Sequence, residues 1–114
     1  MKRLSSVEAQ AEIGRVVASL RAYQPEKVIL FGSYARGDYH AGSDMDLIVV
    51  KETDRPFTDR IGDVLRHCRS SIPVEPLVYR PSELAAMLAR GNDFLETALK
   101  EGVILYEQHE QQRD

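Results

Sequence analysis

The sequence is short of several things, and each shortage removes a class of explanation. It holds one cysteine, Cys68, in 114 residues, so no internal disulfide can form and a reducing compartment is the expected setting. No stretch approaches the roughly 20 apolar residues of a membrane span. The opening Met1-Lys2-Arg3-Leu4 runs into polar residues rather than an apolar signal core. A cytoplasmic protein without membrane contact is therefore expected. Positive charge is not in excess: the formal net charge is −3. Broad binding to nucleic acid needs a basic face and is not expected. His40, His67 and His109 are scattered, with no metal-ligand spacing between any two. Neither a P-loop nor a Gly-x-Gly-x-x-Gly dinucleotide turn is present. No repeat, low-complexity block or linker divides the chain.

What is there reads as one small α/β domain over residues 1–114. Apolar residues make up 43% and charged residues 29%, which argues for a packed core rather than disorder. Ser5-Ser6-Val7-Glu8 is a capping box, and Ile13, Val16, Val17 and Leu20 follow at helical spacing until Pro25. Lys27–Phe31 is a short apolar strand ending at Gly32. Residues 33–36 can form one helical turn stopped by Gly37, and 38–43 is a polar loop. Met45–Val50 is the next strand. Phe57, Ile61, Val64, Leu65 and Cys68 keep helical spacing, with Cys68 as a small core residue. Val74–Tyr79 is a third strand, where Pro76 lacks a backbone donor and predicts an edge or a bulge. Pro81 opens another helix that Gly91 closes. Asn92 caps a last helix carrying Phe94, Leu95, Ala98 and Leu99, and Gly102 closes it. Val103–Tyr106 is a final strand, and 107–114 is a polar, frayed tail. The expected fold is a mixed sheet of about four strands flanked by helices.

One constellation carries chemistry. At Gly32-Ser33 a strand ends and a helical turn begins. Such an end presents unpaired N–H groups to phosphate oxygens, although a plain capped turn looks the same. Asp44 and Asp46 stand two apart at the start of the next strand, so their side chains share a face. A rigid carboxylate pair suits Mg²⁺, although Asp-x-Asp also occurs in solvated loops. Ten residues separate Ser33 from Asp44, and a hairpin-like return brings the two halves together. Phosphate donors facing metal ligands are the parts of a two-metal nucleotidyl- or phosphoryl-transfer site. Tyr34 and Tyr39 flank the loop, where they can stack on a base, accept a nucleotidyl group or pack at the rim. His40 reads as a solvated loop residue.

Gly32-Ser33-Tyr34-Ala35-Arg36-Gly37 and Gly42-Ser43-Asp44-Met45-Asp46-Leu47 resemble the signature of the polymerase-β-like nucleotidyltransferase superfamily. In particular they are similar to minimal nucleotidyltransferase (MNT) domains, and the ending Glu101–Glu107 extends the likeness. The resemblance implies that Gly32 and Ser33, with Arg36 and Ser43 of the same motif, contact a nucleoside triphosphate, ATP. It implies that Asp44 and Asp46 bind Mg²⁺, with two ions. Arg36 can instead form a surface ion pair. The superfamily's third carboxylate, usually aspartate, corresponds to Glu75. That residue then acts as third metal ligand or general base, or simply faces solvent on an edge strand.

The resemblance further implies a partner. Minimal nucleotidyltransferases are commonly antitoxins paired with HEPN-domain ribonuclease toxins, and some transfer AMP to the toxin. A catalytically weak module that neutralises its partner by binding alone is the alternative. A transferase acting on RNA is disfavoured by the acidic balance.

Overall fold

A computed structural model of the chain describes residues 2–108. The order is α1 (Ser6–Leu20), β1 (Lys27–Phe31), α2 (Ser33–Arg36), β2 (Met45–Val50), α3 (Phe57–His67), β3 (Val74–Tyr79), α4 (Pro81–Ala89), α5 (Asp93–Glu101) and β4 (Val103–Glu107). The capping box at Ser5 and Glu8 is formed in both directions. A 3₁₀ turn over Arg21–Tyr23 extends α1, and Gln24 in the left-handed region then breaks it ahead of Pro25.

The four strands form one mixed sheet in the order β3-β2-β1-β4. β1 runs antiparallel to β2 and β4, while β2 and β3 are parallel. Pro76 is thus on an edge strand, where a missing donor costs least. The sheet's irregularity is elsewhere, between Val28 and Ile29 against β4. β4 reaches Glu107, and the Gln108 N–H donates to the Glu26 carbonyl at 2.7 Å. The tail expected from 107 therefore starts later, with its last six residues outside the described ones.

Strand alternation sorts the core into two layers. Val28, Leu30, Met45, Leu47 and Val49 pack with α1 and with Val64 of α3. Ile29, Ile48, Val50 and Tyr79 pack with Leu95 and Ala98 of α5, with Leu84 and Met87 of α4 alongside. Two apolar stripes depart from expectation in part. Leu65 on α3 is 43% exposed and Phe94 on α5 is 50% exposed, while Val64, Leu95 and Ala98 are buried as expected. Arg60 and Asp63 are buried on α3 beside Val64.

Arg60 is the reason a charge can be buried there. Its guanidinium donates to both carboxylate oxygens of Glu83, at 2.7 and 3.2 Å, and to the carbonyls of Arg55 and Val78. This ties α3 to α4 across the end of β3. Glu12 plays a similar part on α1, accepting from the Ser70 hydroxyl and the Ser71 N–H, which fixes the segment leading into β3. Cys68 caps α3 half-buried against the core, and burial pushes its thiol up. Among the described residues no helix is long and apolar enough to cross a membrane.

Candidate active site

The pairing of β1 with β2 sets Phe31 opposite Asp46, and the chain turns at Gly32 immediately beyond. Gly32 has φ +75° and ψ −156°, a backbone state that side-chain-bearing residues avoid. A methyl group added there would collide with the Asp46 carboxylate. Glycine is therefore required twice over, by its dihedrals and by the carboxylate resting on it. Gly32 is also the N-cap of α2, without a side-chain cap, and its carbonyl accepts from Ala35 and Arg36. The N–H groups of Ser33 and Tyr34 precede the first acceptors of that turn and have no intrahelical partner.

Across β2 and β3 the register sets Asp46 beside Glu75. Adjacent strands lie roughly 4.8 Å apart, so registered side chains on one face are neighbours. Burial, with Glu75 and then Asp44 adding negative charge, pushes Asp46 up to about 6; the Arg36 charge opposes this. Glu75 lines the same groove as Asp46, even though it is exposed on the edge strand. The turn, both aspartates and Glu75 converge at one end of the sheet.

Among the described residues no three of His, Cys, Asp and Glu are arranged as a ready metal cage, so the expected three-carboxylate ligand set is not preformed. The donor chemistry fits nonetheless. Hard cations take carboxylate oxygens, and Mg²⁺ commonly uses one or two carboxylates with phosphates completing the shell. Crowded carboxylates that hold one member protonated up to about pH 6 are those a cation would relieve.

Other expected contacts fare differently. Arg36 pairs with Asp38 at 3.2 Å and with Glu101 at 3.6 Å, so its first role is a surface ion pair. The Ser43 hydroxyl accepts from the His40 N–H at 2.9 Å, and the Ser43 N–H donates to the His40 carbonyl. His40 Nδ1 in turn accepts from Gly42. Ser43 and His40 thus shape the loop before Asp44. Tyr34 and Tyr39 stack on each other with centroids 4.3 Å apart and are 8% and 6% exposed. They are core residues and offer no free ring to a base.

Sequence reading missed the strap that holds this loop. Arg3 Nε donates to the Tyr39 carbonyl at 2.9 Å, and Arg3 Nη2 to that of Gly37 at 3.1 Å. Its guanidinium also sits 4.3 Å over the Tyr39 ring, while the Tyr39 hydroxyl donates to the Leu4 carbonyl. The only sequence signal was an arginine two residues from the start.

Known proteins are similar to this chain in fold and in stretches of sequence. The crystal structure of a "putative nucleotidyltransferase" from Sulfolobus solfataricus superposes with a TM-score of 0.60 at 25% identity, over 91% of this chain and 88% of that one. Two Methanocaldococcus jannaschii proteins, each named "putative protein adenylyltransferase", are similar over shorter stretches. One is 59% identical over 29 residues, 25% of this chain and 29% of that protein. The other is 47% identical over 47 residues, 40% of this chain and 48% of that protein. The matches thus span less than half the length of these curated relatives. The family described as "Polymerase beta, Nucleotidyltransferase" matches residues 15–111. With that match covering most of its length, and the Gly32 turn seated on the Asp46 carboxylate, the chain belongs to the polymerase beta nucleotidyltransferase family.

Proposed function

We propose that the chain transfers AMP from ATP, with Mg²⁺, to a hydroxyl of a partner protein. The observation that supports this most is the convergence of the Gly32 turn with the Asp46–Glu75 pair at one end of the sheet. The backbone N–H groups of Ser33 and Tyr34 receive phosphate oxygens, and the Ser33 hydroxyl adds a donor. Asp44 and Asp46 hold the metal. Glu75 is its third ligand, or takes the proton of the attacking hydroxyl where the two aspartates suffice. When bound, Mg²⁺ neutralises phosphate charge and polarises the phosphorus centre.

A protein acceptor is supported by the name protein adenylyltransferase that both M. jannaschii relatives carry. The proposed acceptor is a HEPN-domain ribonuclease toxin, with this chain as its cytoplasmic antitoxin; this follows from the resemblance to minimal nucleotidyltransferases. The test is transfer of label from ATP to a co-expressed HEPN protein, with Mg²⁺ present and absent. Transfer is expected with the wild type and not with Asp44→Asn or Asp46→Asn. Robust transfer by either variant overturns the proposal. A second reading, neutralisation by binding alone, draws on the lack of a preformed metal cage among the described residues. It requires both variants to neutralise the toxin as well as the wild type does.

A further inference from the structure

A groove of about 540 Å³ opens beside Asp46 and Glu75, walled by Phe31, Ile61, Leu65, Leu77 and Phe94. Its walls account for the two stripe residues that stay exposed. Leu65 and Phe94, each near half exposed, are the side chains left over this groove. Phe94 meets Phe31 edge to face, with centroids 5.6 Å apart and planes at 83°, which leaves a face of its ring uncovered by Phe31. Apart from Asp46 and Glu75, no side chain of the lining carries a hydrogen-bonding group.

A second groove includes Gly32, Arg36, Thr97 and Glu101, and shares Phe31 and Phe94 with the first. The two grooves therefore meet at the aromatic pair. In-line transfer sends pyrophosphate away on one side of the α-phosphorus, while the nucleoside stays attached to it. With the β- and γ-phosphates on the Gly32 side and the α-phosphate at the carboxylates, the apolar groove is the space left to the nucleoside.

We propose that this groove is the nucleobase shelf, with Phe94 stacking on the base and Ile61 and Leu65 covering its other side. The proposal rests on the reading of this site as one that binds a nucleoside triphosphate. It adds a consequence for specificity. Every base has a π-face, and stacking is tolerant of base identity. A shelf without side chains to read base edges discriminates weakly among the four nucleotides.

The test is calorimetric titration, with Mg²⁺, of the α,β-methylene analogues of ATP, GTP, CTP and UTP, and of inorganic tripolyphosphate. The proteins are the wild type, Phe94→Ala, Phe94→Leu and Phe94→Tyr, each checked for folding by circular dichroism. The four analogues should bind the wild type within about tenfold of one another. Phe94→Ala should weaken all four by about fivefold or more, the lower range for loss of base stacking. Phe94→Leu keeps apolar bulk without the ring face and should also weaken them. Phe94→Tyr should restore binding, and tripolyphosphate affinity should be the same throughout. Unchanged nucleotide affinity in Phe94→Ala and Phe94→Leu overturns the shelf, as does a wild-type preference above about a hundredfold for one base. Unchanged nucleotide affinity combined with weakened binding of the partner protein would make the groove a protein-docking surface instead. If neither nucleotides nor tripolyphosphate bind the wild type, the nucleotide-site reading fails, and the shelf with it.

Discussion

Two carboxylates of this protein have opposite environments. Glu83 sits against the buried guanidinium of Arg60 and accepts from the Arg80 N–H, and these contacts hold it down at about 2. Asp46 is partly buried next to Glu75 and Asp44, and burial with those like charges raises it to about 6. At an effective dielectric near 20, two like charges about 5 Å apart repel by roughly 3 kcal/mol. At Glu83 the chain supplies its own counter-charge, and the result joins two helices. At Asp46 burial and like charges outweigh the Arg36 cation, and the proposed Mg²⁺ would come from outside. On that proposal the difference separates a charge kept for architecture from one kept for a ligand.

The largest expected effect breaks the second site. Asp46→Asn should reduce nucleotidyl transfer on the order of a thousandfold, since a metal-held charge contributes several kcal/mol to the transition state. Far-ultraviolet circular dichroism should be unchanged. Next comes the first site. Glu83→Ala strands the Arg60 charge, 4% exposed, and should cost about 3 kcal/mol in urea unfolding while sparing transfer per folded molecule. The Glu83 carboxyl lies below its unfolded value of 4.5. Its contribution is therefore complete above pH 4.5 and lost as pH falls toward 2. Glu83→Gln should flatten stability over that window.

The contrast also marks what a reader of the sequence can see. Gly32-Ser33 and Asp44-Met45-Asp46 were legible because one strand pairing joins them, and a glycine before a turn and an aspartate before an apolar run are local signals. The strands followed from short apolar runs, and the edge position of β3 from Pro76. Arg60 and Asp63 were not legible: a charge within an apolar helical stripe reads as solvated, and its partners Glu83 and Arg55 lie 23 and 8 residues away. For Tyr34 and Tyr39 the sequence left open stacking on a base, accepting a nucleotidyl group or packing at the rim, and the structure shows them packed. Their burial depends on each other and on Arg3, contacts that no local pattern encodes. Ser43 belongs to the signature motif, but its hydroxyl is engaged by the loop it lies in. Glu75 was placed by resemblance, and only the parallel register of β2 and β3 sets it beside Asp46.

The third expected effect is the pH dependence of the metal-free fold, where the two carboxylates act with opposite sign. The folded-state value of Asp46 lies above its ordinary 3.8, so it favours folding while protonated. That contribution is complete below 3.8 and is lost as pH rises through about 6. In chelator, the wild type should lose about 1–2 kcal/mol across this interval, after discounting for partial exposure. Asp46→Asn should show no such loss and should be the more stable protein at pH 7. A stability that rises from pH 4 to 6 in the Glu83→Gln variant, which lacks the opposing slope, would contradict the crowding at Asp46.

Adding the cation gives the smallest effect and the sharpest discrimination between the two sites. A ligand that binds only the folded state stabilises it by RT ln(1 + [L]/Kd), about 1.4 kcal/mol at tenfold over Kd. For a domain of this size that is a rise in Tm of roughly 5–10 °C. Mg²⁺ should raise the Tm of the wild type at pH 7 and remove its decline between pH 4 and 6, because the ion competes with the proton for Asp46. Glu83→Gln should respond to Mg²⁺ as the wild type does, from a lower starting point. Asp46→Asn should not respond. Calcium, larger and less demanding of geometry, is a useful second titrant. If Mg²⁺ leaves the wild-type Tm unchanged in chelator-stripped buffer but raises it once tripolyphosphate is present, the two aspartates need the phosphate to complete the shell. That outcome would agree with carboxylates that converge without forming a cage. No rise under either condition would leave the repulsion at Asp46 without its proposed partner, and the contrast with Glu83 would then be one of crowding without a ligand.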